Sequence, residues 1–269
     1  MNTKTAEILC GINNSFYQEH YLSFARTRKA SWPGWRRCLE AIGLTAAKDL
    51  GLDDSQSVDA SAHRHISVLD LACGNLRFEA FLSTELPMVD MSFYAIDNCD
   101  DLVPSTPSVH YQSLDILDTL YKGLCLDDHI TAPLCDLSVS FGFMHHIPTQ
   151  DHRAEILASL IRRTRPGGHV LVSFWQFLNN EALGGKAWLE HERACEELGL
   201  QGQREELEDN DYLLGWENTP GAYRYCHSFS EAEIDQLVMS VAGMATTIAR
   251  FVADGRTDNL NTYLILQVC

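Results

Sequence analysis

The sequence predicts an α/β fold in which a mostly parallel sheet carries helices on both faces. Short apolar runs alternate with helix-like segments between residues 65 and 175, and this alternation is typical of strands joined by crossover helices. Acidic residues and glycines follow several of these runs, as expected at the edge where an open parallel sheet binds ligands. Residues 244–268 contain two β-rich runs joined by a short link, which indicates a terminal antiparallel hairpin.

The strands of the parallel part are assigned from apolar runs bounded by polar residues or glycine. The first run, HISVLDLA, ends just before Gly74, and the last, HVLVSFW, follows an Arg-Pro-Gly-Gly segment. In chain order, the five strands are predicted at or within residues 65–72, 92–97, 109–116, 132–144 and 169–175.

Helices are predicted from apolar residues spaced three and four apart. Residues 11–50 have a helical pattern, and the polar, acidic residues 53–65 are predicted to be a linker. The segment NLRFEAFLSTEL is predicted to be helical, with Leu76, Ala80 and Phe81 on one side. Residues 151–164 are predicted to form an amphipathic helix that ends at the Arg-Pro-Gly-Gly segment.

The chain is predicted to have two parts. Residues 1–57 form an N-terminal helical cap and linker, and residues 58–269 form the main domain. Within the main domain, residues 176–229 are rich in acids and aromatics and interrupt the alternation of strands and helices. Long insertions of this kind commonly cover a substrate site. The sequence leaves open whether this one is a lid or a helical elaboration of the surface.

Charge limits the classes of function that the chain can have. The formal net charge of −17 argues against a protein that coats nucleic acid with a generally basic surface. Residues 1–40 differ from the rest, because six basic residues against three acidic ones give them a charge of +3 and leave −20 on the remainder. The sequence therefore allows a local anion-binding face near the N-terminus.

The sequence contains neither an apolar run of membrane-spanning length nor a leader-like start. The nine cysteines are scattered, without a C-x-x-C pair or the spacing of metal ligands. These observations predict a soluble cytoplasmic protein with reduced thiols, no bound metal and no membrane partner.

Polar groups recur where the predicted strands end. Asp70, Ala72, Gly74 and Leu76 occupy the alternating positions of a D-x-G-x-G-x-G pattern, in which one of three glycines is kept. Asp97 ends the second strand, 23 residues after Gly74, where a carboxylate can accept hydrogen bonds from both hydroxyls of a ribose. A third acid, Asp115, ends the third strand. Together they predict a site for an adenosine-containing cofactor.

These motifs, with CDLSVSFGFMHHI and RPGGHVLVSFW, resemble the successive motifs of class I S-adenosylmethionine-dependent methyltransferases over residues 65–269. The resemblance implies a Rossmann-like fold, with a seven-stranded sheet whose last hairpin is antiparallel. It also implies S-adenosylmethionine as cofactor, S-adenosylhomocysteine as product, and no metal. Ala72 is a tolerable departure from the motif, since a methyl group is the smallest side chain that can replace glycine.

A narrower resemblance is to the methyltransferases that esterify 5-carboxymethyluridine at the wobble position of tRNA. It covers most of the chain, apart from the linker and residues 176–210, and departs from the family at Leu76 and in the acidic body. The segments that carry it are FYQEHYLSFARTRKASWPGW with Tyr17, Phe24, Thr27, Arg28, Trp32 and Pro33, then CGNLRF, MHHI, DYLLGW and YRYCHSF.

The resemblances imply two sets of site residues. The predicted cofactor-binding residues are Tyr17, Arg28, Asp70, Ala72, Gly74, Asp97, Asn98, Asp115, Ile116 and Phe141. The predicted catalytic residues are Arg28, His145, Arg224, Tyr225 and His227.

A carboxylate acceptor is already ionised at neutral pH and needs no general base. Such an acceptor needs a cation to hold one of its oxygens, and Arg28 and Arg224 are the candidates. The alternative is that both arginines form ordinary ion pairs with acidic residues of the chain. His145 would act as a base only on a hydroxyl or amine acceptor. His227 either orients the acceptor with Tyr225 or belongs to a buried polar network.

Three functions stay open. The first is a methyltransferase acting on a carboxylate of modified tRNA, for which the resemblance also implies a small activator subunit. The second is a methyltransferase of a small-molecule acceptor, which the net charge favours. The third is a cofactor-binding regulatory protein without transfer activity. Trp32 and Trp216 either stack on a base or belong to the core.

Overall fold

The computed structural model describes residues 1–45 and 65–269. Nearly all of the predicted linker, and the predicted domain boundary at residues 57 and 58, lie outside these ranges. The described strands are β1 (His65–Leu71), β2 (Asp90–Asp97), β3 (Val109–Ser113), β4 (Cys135–Ser140), β5 (Thr164–Trp175), β6 (Asp211–Gly215), β7 (Tyr223–His227), β8 (Ala245–Ala253) and β9 (Asn261–Val268).

Seven strands form one sheet in the order β3-β2-β1-β4-β5-β9-β8. β1 pairs in parallel with β2 and β4, while β9 is antiparallel to both β5 and β8. The predicted seven-stranded, mostly parallel sheet with an antiparallel hairpin at its end is confirmed. The remaining strands, β6 and β7, form a separate antiparallel pair.

Helices cover both faces of the sheet. They are α1 (Thr3–Thr27), α2 (Pro33–Ala41), α3 (Arg77–Glu85), α4 (Ile116–Tyr121), α5 (Leu126–His129), α6 (Gln150–Arg162), α7 (Glu181–Glu197) and α8 (Glu231–Ser240). Side chains of β1 alternate between the two layers, with Ile66 and Val68 packed towards α2 and α3 and Leu69 and Leu71 packed towards α4, α6 and α8. A strand buried on both faces reads as a continuous apolar run, which is why β1 was predictable.

Several predicted boundaries are wrong. The third strand ends at Ser113 rather than residue 116, because the Asp115 side chain accepts from the Asp118 N–H and begins α4. Of the three residues predicted on one side of α3, Leu76 and Phe81 are buried, as predicted, whereas Ala80 is exposed and Phe78 is buried in its place.

The other wrong boundaries lie in α1, α2 and β5. The helical region predicted for residues 11–50 is interrupted in its described part, residues 11–45, where a second helix begins at Pro33. The first begins at Thr3 instead of residue 11. The Arg-Pro-Gly-Gly segment lies inside β5, as an irregularity between the pairs Cys135–Thr164 and Leu137–His169.

The insertion at residues 176–229 contains α7, β6 and β7 and packs against α1. Leu9 of α1 shares an apolar cluster with Leu213 of β6 and Tyr225 of β7. The N-terminal helix and the insertion therefore form one layer beside the sheet. In the part of the chain that the structure describes, no helix combines the length and the apolar character needed to cross a membrane.

Candidate functional site

A cavity of about 380 Å³ opens at the carboxyl ends of β1 to β5, under α1 and β7. All ten residues predicted to bind the cofactor line it. Of the predicted catalytic residues, Arg28, His145 and Arg224 line it as well, whereas Tyr225 and His227 do not. The structure thus brings most of the predicted site together, and the binding role of each residue stays a prediction.

The turn between β1 and α3 has three left-handed residues in alternation. Ala72, Gly74 and Leu76 have φ angles of 63°, 56° and 58°. These are the three glycine positions of the D-x-G-x-G-x-G pattern, and glycine is the residue that adopts this conformation without cost. Alanine and leucine adopt the left-handed conformation at two of these positions and carry the strain that glycine would avoid.

Asp97 is held rigidly by backbone N–H groups. Its Oδ2 accepts from Gly74 N and its Oδ1 accepts from Cys99 N, both at 2.9 Å. Burial raises the pKa of this carboxyl, and the two N–H donors partly offset that effect. The result is an oriented carboxylate at the cavity wall with lone pairs left for a ligand.

Asp115 joins two asparagines at the next strand end. Its Oδ2 accepts from Asn14 Nδ2 at 2.9 Å and from Asn98 Nδ2 at 3.0 Å, and Asn98 Nδ2 also reaches Asn14 Oδ1 at 3.0 Å. Ile116, the first residue of α4, lines the cavity beside them. These amide and carboxylate groups can recognise the polar edge of an adenine.

Asp70 and Glu79 form a buried pair of carboxyl groups below the turn. Asp70 is 4% exposed and Glu79 is 3% exposed. In the described residues, neither Asp70 Oδ1 nor either oxygen of Glu79 has a hydrogen-bond partner. Burial, with the neighbouring acid, raises the pKa of Asp70 well above its usual range, and burial raises that of Glu79 to about 7.

Arg224 is a buried cation among aromatic rings. Its guanidinium carbon lies 5.3–5.9 Å from the ring centroids of Phe16, Phe24, Trp175 and Trp216. Its side chain is 7% exposed, and Nε has no hydrogen-bond partner. Among residues 1–45 and 65–269, no carboxylate forms an ion pair with it. The alternative of an ordinary ion pair is therefore not seen.

Arg28 is the second cation of the cavity. Its guanidinium lies 4.7 Å from the Phe24 ring and donates to Thr27 Oγ1. Burial and the positive charge of Arg224 lower its pKa. Within the described ranges, Arg28 also has no carboxylate partner. Neither arginine forms an ion pair within the described residues, so the two cations create a local positive site in one part of the cavity of an acidic protein.

His145 and His146 are buried and neutral. His146 Nδ1 is 2.9 Å from the Tyr225 carbonyl and its Nε2 is 2.8 Å from the Tyr17 hydroxyl, so the tautomer with hydrogen on Nδ1 satisfies both contacts. Burial and Arg224 lower the pKa of His146 to about 3, and burial with His146 lowers that of His145 well below its usual range. His145 Nδ1 has no partner in the described residues.

Tyr225 and His227 belong to a buried polar network outside the cavity. The Tyr225 hydroxyl donates to Asp211 Oδ1 at 2.6 Å. His227 Nδ1 is 2.7 Å from the same oxygen, and its Nε2 is 2.7 Å from Glu233 Oε1. Arg153, which is fully buried, lies 3.8 Å from Asp211. Of the two roles considered for His227, this geometry matches the structural one.

Trp32 and Trp216 also differ in whether they line the cavity. Trp32 lines the cavity, and its ring approaches Gly142 so closely that a Cβ there would lie 3.1 Å from it. Trp216 is buried among Phe16 and Phe24, and its Nε1 donates to Ser23 Oγ at 2.9 Å. Trp32 is thus available to a ligand, and Trp216 supports the walls.

Sequence reasoning missed two groups of site residues. Asn13 and Asn14 line the cavity and precede Tyr17 by four and three residues, so helical spacing from Tyr17 was a usable signal. Glu79 was missed because a glutamate in the first turn of a helix normally faces solvent. Only the packing of α3 on β1 shows that it is buried.

Two groups contain residue types that bind metals. They are His145, His146 and Cys226, and Glu208, His227 and Glu233. Both nitrogens of His146 and of His227 are already hydrogen-bonded, and burial raises the pKa of Cys226 to about 12, which keeps it a thiol. The absence of a metal stays a prediction.

No protein-family model matches the sequence. The chain is 26% identical over 159 residues to the mouse protein named tRNA (carboxymethyluridine(34)-5-O)-methyltransferase ALKBH8, a match that covers 59% of this chain and 19% of that protein. The protein of the same name from Macaca fascicularis is 25% identical over 191 residues, covering 71% and 23% respectively. The chain thus spans about a fifth of the length of these relatives.

A solved structure of an S-adenosylmethionine-dependent methyltransferase from Methanosarcina mazei superposes with a TM-score of 0.53. The two chains are 15% identical, and the match covers 81% of this chain and 99% of the other. The chain has the class I methyltransferase fold. At this level of identity the likeness establishes the methyltransferase fold alone, and the resemblance predicted from the motifs is confirmed to that extent.

Proposed function

We propose that the chain is an S-adenosylmethionine-dependent methyltransferase that esterifies a carboxylate. The observation that carries the proposal is Arg224, a buried guanidinium without an acidic partner, in the same cavity as the glycine-motif turn. A buried unpaired charge is costly, and a carboxylate ligand would neutralise it. The relatives named as carboxymethyluridine methyltransferases support 5-carboxymethyluridine in tRNA as the acceptor.

The residues of the cavity fit the cofactor. Asp97 offers an oriented carboxylate to ribose hydroxyls, and Asp115 with Asn98 offers a polar edge to adenine. Asp70 brings a buried carboxyl without a donor to the cavity, where a cationic group of the ligand can satisfy it. When bound, S-adenosylmethionine would supply a methyl group from its sulfonium by in-line displacement.

The chain's part in the reaction would be to hold and shield the acceptor. Arg224, supported by Arg28, can fix one carboxylate oxygen and leave the other free to attack. The aromatic rings around Arg224 exclude water, which strengthens that contact. His145 is neutral at pH 7, and an ionised acceptor asks no proton of it.

A small-molecule carboxylic acid is the second candidate acceptor. It is favoured by the net charge of −17, which repels the phosphates of a whole tRNA. Both candidate acceptors would be held by the same arginines and would undergo the same reaction. They differ in the part of the acceptor that would extend outside the cavity.

The test is transfer of radiolabelled methyl groups from S-adenosylmethionine. The acceptors are tRNA containing unesterified 5-carboxymethyluridine, the free 5-carboxymethyluridine nucleoside and small carboxylic acids extracted from the source cells. An ester product is released by mild alkali. We expect base-labile label in tRNA and a loss of about 100-fold in kcat/KM for Arg224→Gln, since a truncated buried charge contact costs about 3 kcal/mol.

The matched control is Arg162→Gln, which removes an arginine that is already paired with Asp127 and Glu155. Arg162→Gln should leave methyl transfer unchanged. Arg224→Gln should still bind the cofactor, and that binding would show that the Arg224→Gln protein is folded. Label found only in small carboxylic acids would show that the acceptor is a small molecule rather than tRNA. Alkali-stable label would contradict the carboxylate, and cofactor binding without any transfer would leave a regulatory protein.

A further inference from the structure

The carboxyl groups of Asp70 and Glu79 are buried side by side below the turn between β1 and α3, where their negative charges would repel each other. The two carboxyl groups are buried and interact directly, and among the described residues three of their four oxygens lack a donor, so both cannot be ionised without a large cost. The arrangement is relieved when one group is protonated and donates to the other, as in other carboxyl pairs at close range.

The charged and titratable groups around the pair do not supply another solution. Asp97, at the end of β2, adds negative charge, and Cys73, in the turn, is a thiol whose pKa is raised by burial. Arg77 of α3 is the neighbouring cation, and its charge lowers the pKa of Asp70 less than burial and the two acids raise it. Within the described residues Arg77 forms no ion pair with either carboxyl, and its Nη1 donates to the Ala30 carbonyl. The pair therefore depends on its own proton.

Asp70 lines the cavity, whereas Glu79 does not. We propose that the two carboxyls hold one proton between them in the ligand-free protein and release it to solvent when a cationic cofactor binds beside Asp70. The inference rests on the proposed function, because it takes S-adenosylmethionine as the cation. A positive charge near Asp70 stabilises the ionised form, and the proton moves to the buffer, so binding and proton release are linked.

The first test needs no ligand. Infrared spectra of the ligand-free protein near neutral pH should contain the carbonyl stretch of a protonated, buried carboxyl group. Glu79→Gln should remove that band, since an amide can donate to Asp70 without a shared proton. Glu85→Gln, which removes a partly buried glutamate of the same helix that is paired with Arg36, should keep it. Absence of the band in the unsubstituted protein would overturn the proposal whether or not a cofactor binds.

The second test measures the release itself. Calorimetric titration with S-adenosylmethionine in two buffers of different ionisation enthalpy should give different apparent binding enthalpies, equivalent to as much as one proton released. Affinity should weaken by up to about tenfold for each pH unit below the range in which the pair titrates. Glu79→Gln should bind without either effect, and Glu85→Gln should behave as the unsubstituted protein does.

5′-Methylthioadenosine, which is an uncharged part of the cofactor, separates the two proposals. It should bind without proton release. Equal enthalpies in both buffers with S-adenosylmethionine would overturn the shared proton and leave the methyltransferase proposal intact. If neither adenosine ligand binds, the proposed function fails, while the infrared result still decides the state of the pair.

Discussion

Three left-handed residues shape the turn between β1 and α3, and two of them, Ala72 and Leu76, have side chains that add backbone strain. A left-handed non-glycine residue costs roughly 1–2 kcal/mol, so Ala72→Gly should stabilise the protein by about 0.5–1 kcal/mol after the added freedom of the unfolded chain is subtracted. Leu76→Gly should instead destabilise it by about 2 kcal/mol or more, because Leu76 is buried against Cys73 and Ala95. Urea unfolding measures both.

Gly74→Ala is the reciprocal control for this prediction. A Cβ at Gly74 would meet nothing within 4 Å, so the substitution introduces backbone strain without a clash. It should destabilise the protein by about 1 kcal/mol. Equal stability of Gly74→Ala and the unsubstituted protein would show that the turn tolerates a side chain at no cost.

At the level of single residues, the sequence predicted which acids lie at the cavity, but it did not predict which side chains are buried or what surrounds them. Asp97 and Asp115 were predictable because a parallel sheet brings its strand ends to one edge. The burial of Glu79 and the aromatic walls around Arg224 were not, since both arise from contacts between segments distant in sequence.

At the level of elements, β7 contributes His227 to a buried charge network. His227 lies between Asp211 and Glu233, and these contacts raise its pKa against the opposing effect of burial. A raised folded-state pKa means that the stabilisation is complete below the unfolded value of about 6.5. It is lost as pH rises through the folded value. Contacts with His227 and Ser230 lower the pKa of Glu233 to about 2 against the opposing effect of burial, which adds stability that is lost progressively as pH falls from about 4.5 to about 2.

His227→Gln should therefore be less stable by about 3 kcal/mol near pH 6, as expected for removal of one partner of a buried charge network. The difference should narrow as pH rises past the folded pKa of His227. Urea unfolding of both proteins between about pH 6 and pH 9 measures it. Lys122→Gln, which removes an exposed ion pair with Asp118, is the control and should change stability little at any pH. A difference independent of pH would show that His227 acts by packing alone.

The predicted boundaries of elements are wrong where a single side chain overrides the apolar pattern. The apolar run of residues 109–116 continues past the end of β3, but the cap formed by Asp115 turns the chain into α4. The sequences of α1 and α2 look continuous in composition, and Pro33 determines where the second helix begins. Pairing of α1 with the insertion depends on β6 and β7, which no local pattern in α1 reveals.

For the whole molecule, the distribution of positive charge determines how an RNA could bind. Arg26 and Lys29 are exposed, flank the cavity residue Arg28 in the sequence, and form no ion pair within the described residues. Arg162 and Arg163, at the end of α6, lie at the opposite edge of the sheet and are engaged by Asp127 and by backbone carbonyls. A basic face that includes all of them is therefore not present.

If tRNA is the acceptor, its phosphates must bind at the rim of the cavity that contains Arg26 and Lys29. Replacing both by alanine should raise the KM for tRNA about tenfold and reduce the slope of log KM against log salt by about 2, one for each lost phosphate contact. The KM for the free 5-carboxymethyluridine nucleoside should not change, because the nucleoside carries no phosphate. Arg162→Gln serves again as the control at the far edge of the sheet. An unchanged salt slope in the double variant would contradict docking at this rim and favour the small-molecule acceptor.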